Sequence, residues 1–93
     1  DSDGPFDRKY RAATSTDTIT NSDYLVDCTG TFTVTLPTAV GIEGQHFVIK
    51  NSGSGIITID GDGTETIDGN LTVNLPQYDS ITVVSTGSEY III

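Results

Sequence analysis

Few side chains in this chain are suited to chemistry. Asp60-Gly-Asp-Gly-Thr-Glu65 places three carboxylates, Asp60, Asp62 and Glu65, within six residues. Hard oxygen ligands at that density are what Ca²⁺ takes. The segment lacks the flanking helices and late glutamate of an EF-hand, and Asp-Gly pairs are also plain turn chemistry. A calcium site on these three residues and a solvated turn are both open. His46 is the one histidine. Alternation puts it opposite Phe47 and Ile49, on an exposed face or a subunit contact, where one His46 from each copy of a trimer could meet a metal on the axis. A catalytic histidine needs a nucleophile and an orienting group nearby, and no serine here sits in a nucleophile elbow. Cys28, the only cysteine, alternates with Tyr24 and Val26, which predicts a buried structural thiol. Paired carboxylates can cleave glycosides, but the candidates here lie in turns and strand ends of a chain too short for a sugar cleft. No catalytic residue is assigned, and the chain reads as a non-enzyme.

Composition narrows the partners. The chain has 93 residues, one domain's worth, of which 35% are apolar, with no Trp and no Met. A core that small is marginal, and disulfides, metals or oligomerisation usually compensate. One cysteine excludes an internal disulfide, which leaves a metal or a partner chain. The formal charge is −9. Beyond residue 11 the only cation is Lys50, against ten carboxylates. Such a surface repels phosphate backbones and anionic lipid, so nucleic-acid partners and membrane insertion are not expected. No signal peptide or apolar span is visible, and the absence of an initial Met suggests a fragment or processed product.

The elements that would position these side chains are strands. Residues 1–16 lack a clear period and read as an N-terminal arm or linker, with Phe6 and Tyr10 as anchors able to dock on a body or a neighbouring chain. Residues 17–93 read as a β domain, rich in Thr, Ile and Val and punctuated by Gly, Asn, Asp and Ser. In Thr31-Phe-Thr-Val-Thr-Leu36 the apolar Phe32, Val34 and Leu36 share one face, and Thr31, Thr33 and Thr35 share the other. Phe47 with Ile49, and Leu71 with Val73 and Leu75, read as further inward sets. Pro37 and Pro76 end their strands at matched positions. Residues 38–44 read as a connection of at most one helical turn. Thr72 and Asn74 extend the polar set, either as a solvated face or as a flat contact surface for glycan or protein.

A repeat runs through the chain. Residues 47–59 and 81–93 both read as an apolar strand, a turn with Gly-Ser at its centre, and a second apolar strand. The pattern predicts eight to nine strands in a small antiparallel β-sandwich or barrel built from repeated hairpins. The last strand, Tyr90-Ile-Ile-Ile93, is apolar on both faces, which predicts a central position or cover by another subunit.

The order of these motifs resembles a module of bacteriophage tail fibres, head fibres and related receptor-binding or decoration proteins. The resembling text runs from about Ile19 to Ile93: Asp23 to Asp27, Val34 to Pro37, Glu43 to Gln45, Phe47 to Ile59, Thr66 to Gly69 and Ser80 to Tyr90. It departs from that pattern at Ile91, where such modules often carry Trp. The resemblance implies a small β domain assembled as a tightly packed or intertwined homotrimer. It also implies a structural, adhesive role on the virion, with contact to a host-cell surface glycan or protein. Two alternatives are a capsid-decoration or anchoring domain held to the virion body through residues 1–16, and a calcium-assisted carbohydrate-binding module.

Overall fold

The structure, a computed structural model, describes residues 9–93. These form nine strands and no helix. The strands are β1 (Tyr10–Ala13), β2 (Asp17–Thr18), β3 (Leu25–Cys28), β4 (Phe32–Thr35), β5 (His46–Asn51), β6 (Ile57–Asp60), β7 (Thr72–Leu75), β8 (Ser80–Ser85) and β9 (Tyr90–Ile92). Tyr10–Ala13, read above as part of the arm, is thus a strand. Phe6 and the first eight residues lie outside the described part.

The chain crosses between two sheets as it advances. β1, β3 and β5 lie parallel in one, with Tyr10 beside Leu25 and Leu25 beside Val48. β2, β4 and β6 lie parallel in the other, with Asp17 beside Val34 and Val34 beside Ile59. The chain then reverses. β7 runs antiparallel to β6, β8 to β5, and β9 to β8. The result is a five-stranded sheet, β1-β3-β5-β8-β9, and a four-stranded sheet, β2-β4-β6-β7.

This corrects the expected antiparallel stack of hairpins: both sheets are mixed. Parallel neighbours need a crossover between them. Here each crossover is a strand of the opposite sheet, so short corners suffice where a helix would otherwise be needed. Residues 51–55, expected as a hairpin loop, form with Ile56 such a corner between β5 and β6, and those two strands do not pair with each other. It sits directly on the preceding corner at Thr29–Thr31. A Cβ on Gly55 would lie 2.0 Å from the Thr31 hydroxyl and 2.6 Å from the Gly30 carbonyl oxygen, and one on Gly53 would lie 3.1 Å from the Gly30 nitrogen. Glycine is required there by close approach rather than by backbone dihedral.

One core joins the two sheets. Val26, Cys28, Phe47, Ile49, Val83 and Tyr90 come from the larger sheet, and Val34, Ile57, Ile59 and Leu75 from the smaller. Period-two alternation explains why these residues are the ones buried. The Tyr90 ring lies 6.3 Å from Phe47, and its hydroxyl donates to the Pro37 carbonyl at 2.7 Å. The core therefore accepts a phenol only because its polar tip finds an acceptor. Ser85, also buried, donates to the Ala39 carbonyl at 2.6 Å and ties the long 36–45 connection to β8. That connection contains turns and no helix. Leu71, expected in the core, is exposed, because it precedes β7 and lies outside its alternation.

The last strand is not central, as one of its two expected placements had it. β9 lies at the rim of the larger sheet. Segment 66–70 closes against it: Tyr90 N–H donates to Thr66, Asp68 N–H donates to Tyr90, and Ile92 N–H donates to the Asp68 carboxylate. The side chain and left-handed backbone of Asp68 thus blunt an edge that would otherwise invite strand addition.

Candidate interaction surfaces

Each sheet turns one face to the core and one outward, and the two outward faces differ in chemistry. On the smaller sheet, Thr33 stands beside Thr58 and Thr58 beside Asn74, while Thr35 stands beside Asp60 and Asp60 beside Thr72. Thr18 extends the second row through Thr35. Of the expected set of Thr31, Thr33, Thr35, Thr72 and Asn74, all but Thr31 are brought onto one face, with Thr58, Asp60 and Thr18 added; Thr31 precedes β4, in the corner against Gly55. The Thr58 hydroxyl and the Asn74 amide oxygen bond across strands at 3.2 Å.

The outward face of the larger sheet is apolar. Tyr10, Leu25 and Val48 form a row that continues through Thr82 towards Ile93. His46, Val84 and Ile91 form the next. Tyr10, Ile91 and Ile93 are 62%, 43% and 68% exposed. Asp27 and Lys50 stand side by side in a third row, so the one cation beyond residue 11 lies on this face. His46 is exposed on the face, as alternation predicted. Its Nδ1 bonds the Gly44 carbonyl at 2.9 Å, and since a carbonyl only accepts, Nδ1 carries the proton when the ring is neutral and Nε2 is bare.

The other sequence candidates behave differently. The Glu65 carboxylate accepts hydrogen bonds from the Thr38 hydroxyl at 2.6 Å and the Ala39 N–H at 2.8 Å. It is oriented towards the connection, while Asp60 belongs to the threonine face. Among the described residues no three His, Cys, Asp or Glu side chains form a group able to hold a metal. Cys28 is buried, and desolvation, aided by Asp27 and Asp17, pushes its thiol up to about 11. That keeps it protonated and unreactive at neutral pH. An open cleft lined by Ile42, Glu43, Gln45 and Gly87 offers a carboxylate and an amide but no nucleophile.

One charged cluster was not expected from spacing. Arg11 on β1 is gripped by Asp23, which accepts from Nε at 2.9 Å and from Nη2 at 3.0 Å, and also by Asp17. Burial pushes the Asp23 carboxyl up, but the Arg11 and Thr20 hydrogen bonds outweigh it and hold the group below its usual range. The cluster ties β1 to the turn before β3. An inward charge on an edge strand also discourages further pairing, so its role is structural. The two aspartates are six and twelve residues from Arg11, and the three groups come from β1, β2 and the turn before β3, so no local spacing marks them.

No family model matches this chain, and no curated protein or solved structure matches it either.

Proposed function

We propose that this chain is a non-enzymatic structural and adhesive module of a viral fibre or surface appendage. It assembles as a homotrimer through the outward face of its five-stranded sheet and leaves the threonine face free for contact with a host surface. The observation that carries this is the apolar field of Tyr10, Leu25, Val48, Val84, Ile91 and Ile93. Each side chain of this size contributes about 1.5–3 kcal/mol when fully buried, and several in register form a contiguous patch of the kind that marks an interaction site.

Charge selects the face through which a second copy would approach. Two chains of formal charge −9 repel each other over most of their surface. The apolar face is where Lys50 stands next to Asp27, so it is the approach with the least like-charge repulsion. The motif order shared with phage fibre modules supports the same choice and supplies the expected stoichiometry. The threonine face, with Asp60 at its middle, has neither the apolar area nor the charge balance for self-association.

The test is the solution mass by light scattering at micromolar concentration. Three times the chain mass is expected. Replacing Ile91 and Ile93 together by Asp should give a monomer with an unchanged far-ultraviolet spectrum, and Thr33→Asp should leave the trimer intact. A monomeric wild-type chain would refute the proposal.

A further inference from the structure

Among the described residues, two other than glycine have left-handed backbone, Asp68 at φ 52° and Tyr78 at φ 69°. Asp68 is explained by its fold: its carboxylate caps the N–H of Ile92, and aspartate tolerates this region through local hydrogen bonds. Tyr78 has no such account. A bulky aromatic there is an outlier, and strained residues of this kind persist only where the surroundings over-determine them. The backbone does so here. Tyr78 N–H donates to the Asn51 carbonyl at 2.6 Å, Asp79 N–H closes the turn on Pro76 at 3.1 Å, and the Lys50 ammonium donates to the Tyr78 carbonyl at 2.6 Å. These contacts fix the main chain and would hold any residue at that position. Asn or Gly would fit it with less strain.

The ring gives nothing back to the fold. Tyr78 is 66% exposed, and the Lys50 ammonium sits 6.0 Å from the ring centre, the outer limit of a cation–π contact. A side chain that raises the energy of its turn and stays mostly exposed is expected at a functional position. Pro76, Gln77, Asp79 and Ser80 beside it are all exposed. An aromatic plate flanked by an amide, a carboxylate and a hydroxyl suits the face of a pyranose ring, whose C–H bonds stack on the aromatic while its hydroxyls bond the flanking groups. A protein-docking patch would instead surround the ring with apolar neighbours. The acidic chain disfavours phosphorylated or acidic sugars.

We infer that Tyr78 is a stacking platform for an uncharged pyranoside, with Gln77 and Asp79 as its polar flanks. This deepens the adhesive reading by naming a ligand class and a contact residue, yet it does not depend on the trimer. A monomer that binds sugar here would end the assembly reading and keep this one.

The experiment is saturation-transfer difference spectroscopy, with irradiation of the tyrosine ring protons, on the full chain mixed with methyl glucoside, methyl galactoside and methyl N-acetylglucosaminide, comparing wild type with Tyr78→Phe and Tyr78→Asn. Saturation transfer from Tyr78 to at least one sugar is expected. Tyr78→Phe should keep binding, and Tyr78→Asn should weaken it about tenfold or more, while its urea midpoint equals or exceeds the wild type's. Three results would overturn the inference. One is no transfer to any of the three sugars. Another is a lowered midpoint in Tyr78→Asn, which would make the ring structural. The third is a lowered solution mass in that variant, which would make the ring a contact between copies.

Discussion

Residues 47–59 and 81–93 read almost alike and fold differently. In both, a buried polar residue ends the first strand on its inward side, Asn51 in one and Ser85 in the other. In both it accepts a hydrogen bond from the N–H of the glycine two residues on, Gly53 to Asn51 at 3.1 Å and Gly87 to Ser85 at 3.0 Å. Beyond that shared step the paths separate. Thr86 N–H bonds back to Glu89, closing a hairpin that returns β9 beside β8. Ser52 N–H bonds instead to Cys28 on the neighbouring strand, and the Asn51 amide donates to the carbonyls of Gly55 and Leu75, each at 2.7 Å. The chain then turns into the other sheet. Gly55 and Glu89 occupy the same place in the two segments. Glycine lets the first pack on the corner beneath it, and glutamate keeps the second at the surface. Whether such a segment becomes a hairpin or a corner is decided by side-chain donors and by room for a Cβ, not by the strands on either side.

The sharpest way to break this comparison is at the two polar residues. Asn51→Ala leaves the Gly53 N–H without its acceptor and removes a donor from two carbonyls, at about 1–3 kcal/mol for each buried group left unsatisfied. A loss of about 3 kcal/mol or more is expected in urea denaturation. Ser85→Ala removes one donor and one acceptor and is expected to lose about 1–2 kcal/mol. Equal losses would mean that the amide's two extra bonds do not hold the corner.

Much of the fold was legible because alternation is local. Val26 with Cys28, Phe32 with Val34 and Leu36, and Phe47 with Ile49 all face inward as their spacing predicted, and the threonines face outward. Strand direction was not legible, because a period of two looks the same in parallel and antiparallel pairs. One signal was present: Asn51 is a polar residue at an inward position, followed by five turn residues rather than two. β1 escaped notice because Arg11 interrupts its apolar pattern, and the ion cluster that explains Arg11 joins residues distant in sequence. The apolar outward face was equally hidden. Its members come from five strands, and only Tyr10, as a docking anchor, and the doubly apolar last strand stood out. Tyr78 was missed because nothing in Pro-Gln-Tyr-Asp reveals a positive φ.

Two glycines, one from each segment, separate steric from conformational constraint. Gly55 has no room for a methyl group against the Gly30 backbone, so Gly55→Ala must move one corner off the other, at about 2–3 kcal/mol. At Gly87 the nearest atom to a Cβ would be the Glu43 carboxyl carbon at 3.5 Å, an ordinary contact, but the backbone sits at φ 100°. Gly87→Ala should therefore lose about 1–2 kcal/mol from strain alone. Chemical denaturation of both variants checks the order, and a milder Gly55→Ala would mean the stacked corners slide apart easily.

Glu89 provides the smallest test and the one with a pH signature. Its carboxylate accepts from both the N–H and the hydroxyl of Thr66, and these bonds hold its pKa below the usual glutamate value. A group depressed in the folded state stabilises it above the unfolded pKa, about 4.3 for glutamate, and that contribution is lost as pH falls through the folded value. Wild type should therefore exceed Glu89→Gln in urea midpoint at pH 7, and the gap should close as pH is lowered towards 3. The acid sensitivity from Asp23 is present in both proteins and cancels in the difference. A gap that persists at pH 3 would mean glutamine fails for reasons of shape, and that the charge on Glu89 does not help hold segment 66–70 against the edge of β9. Gly55, its counterpart in the other segment, carries no titratable group, so the pH dependence belongs to the hairpin alone.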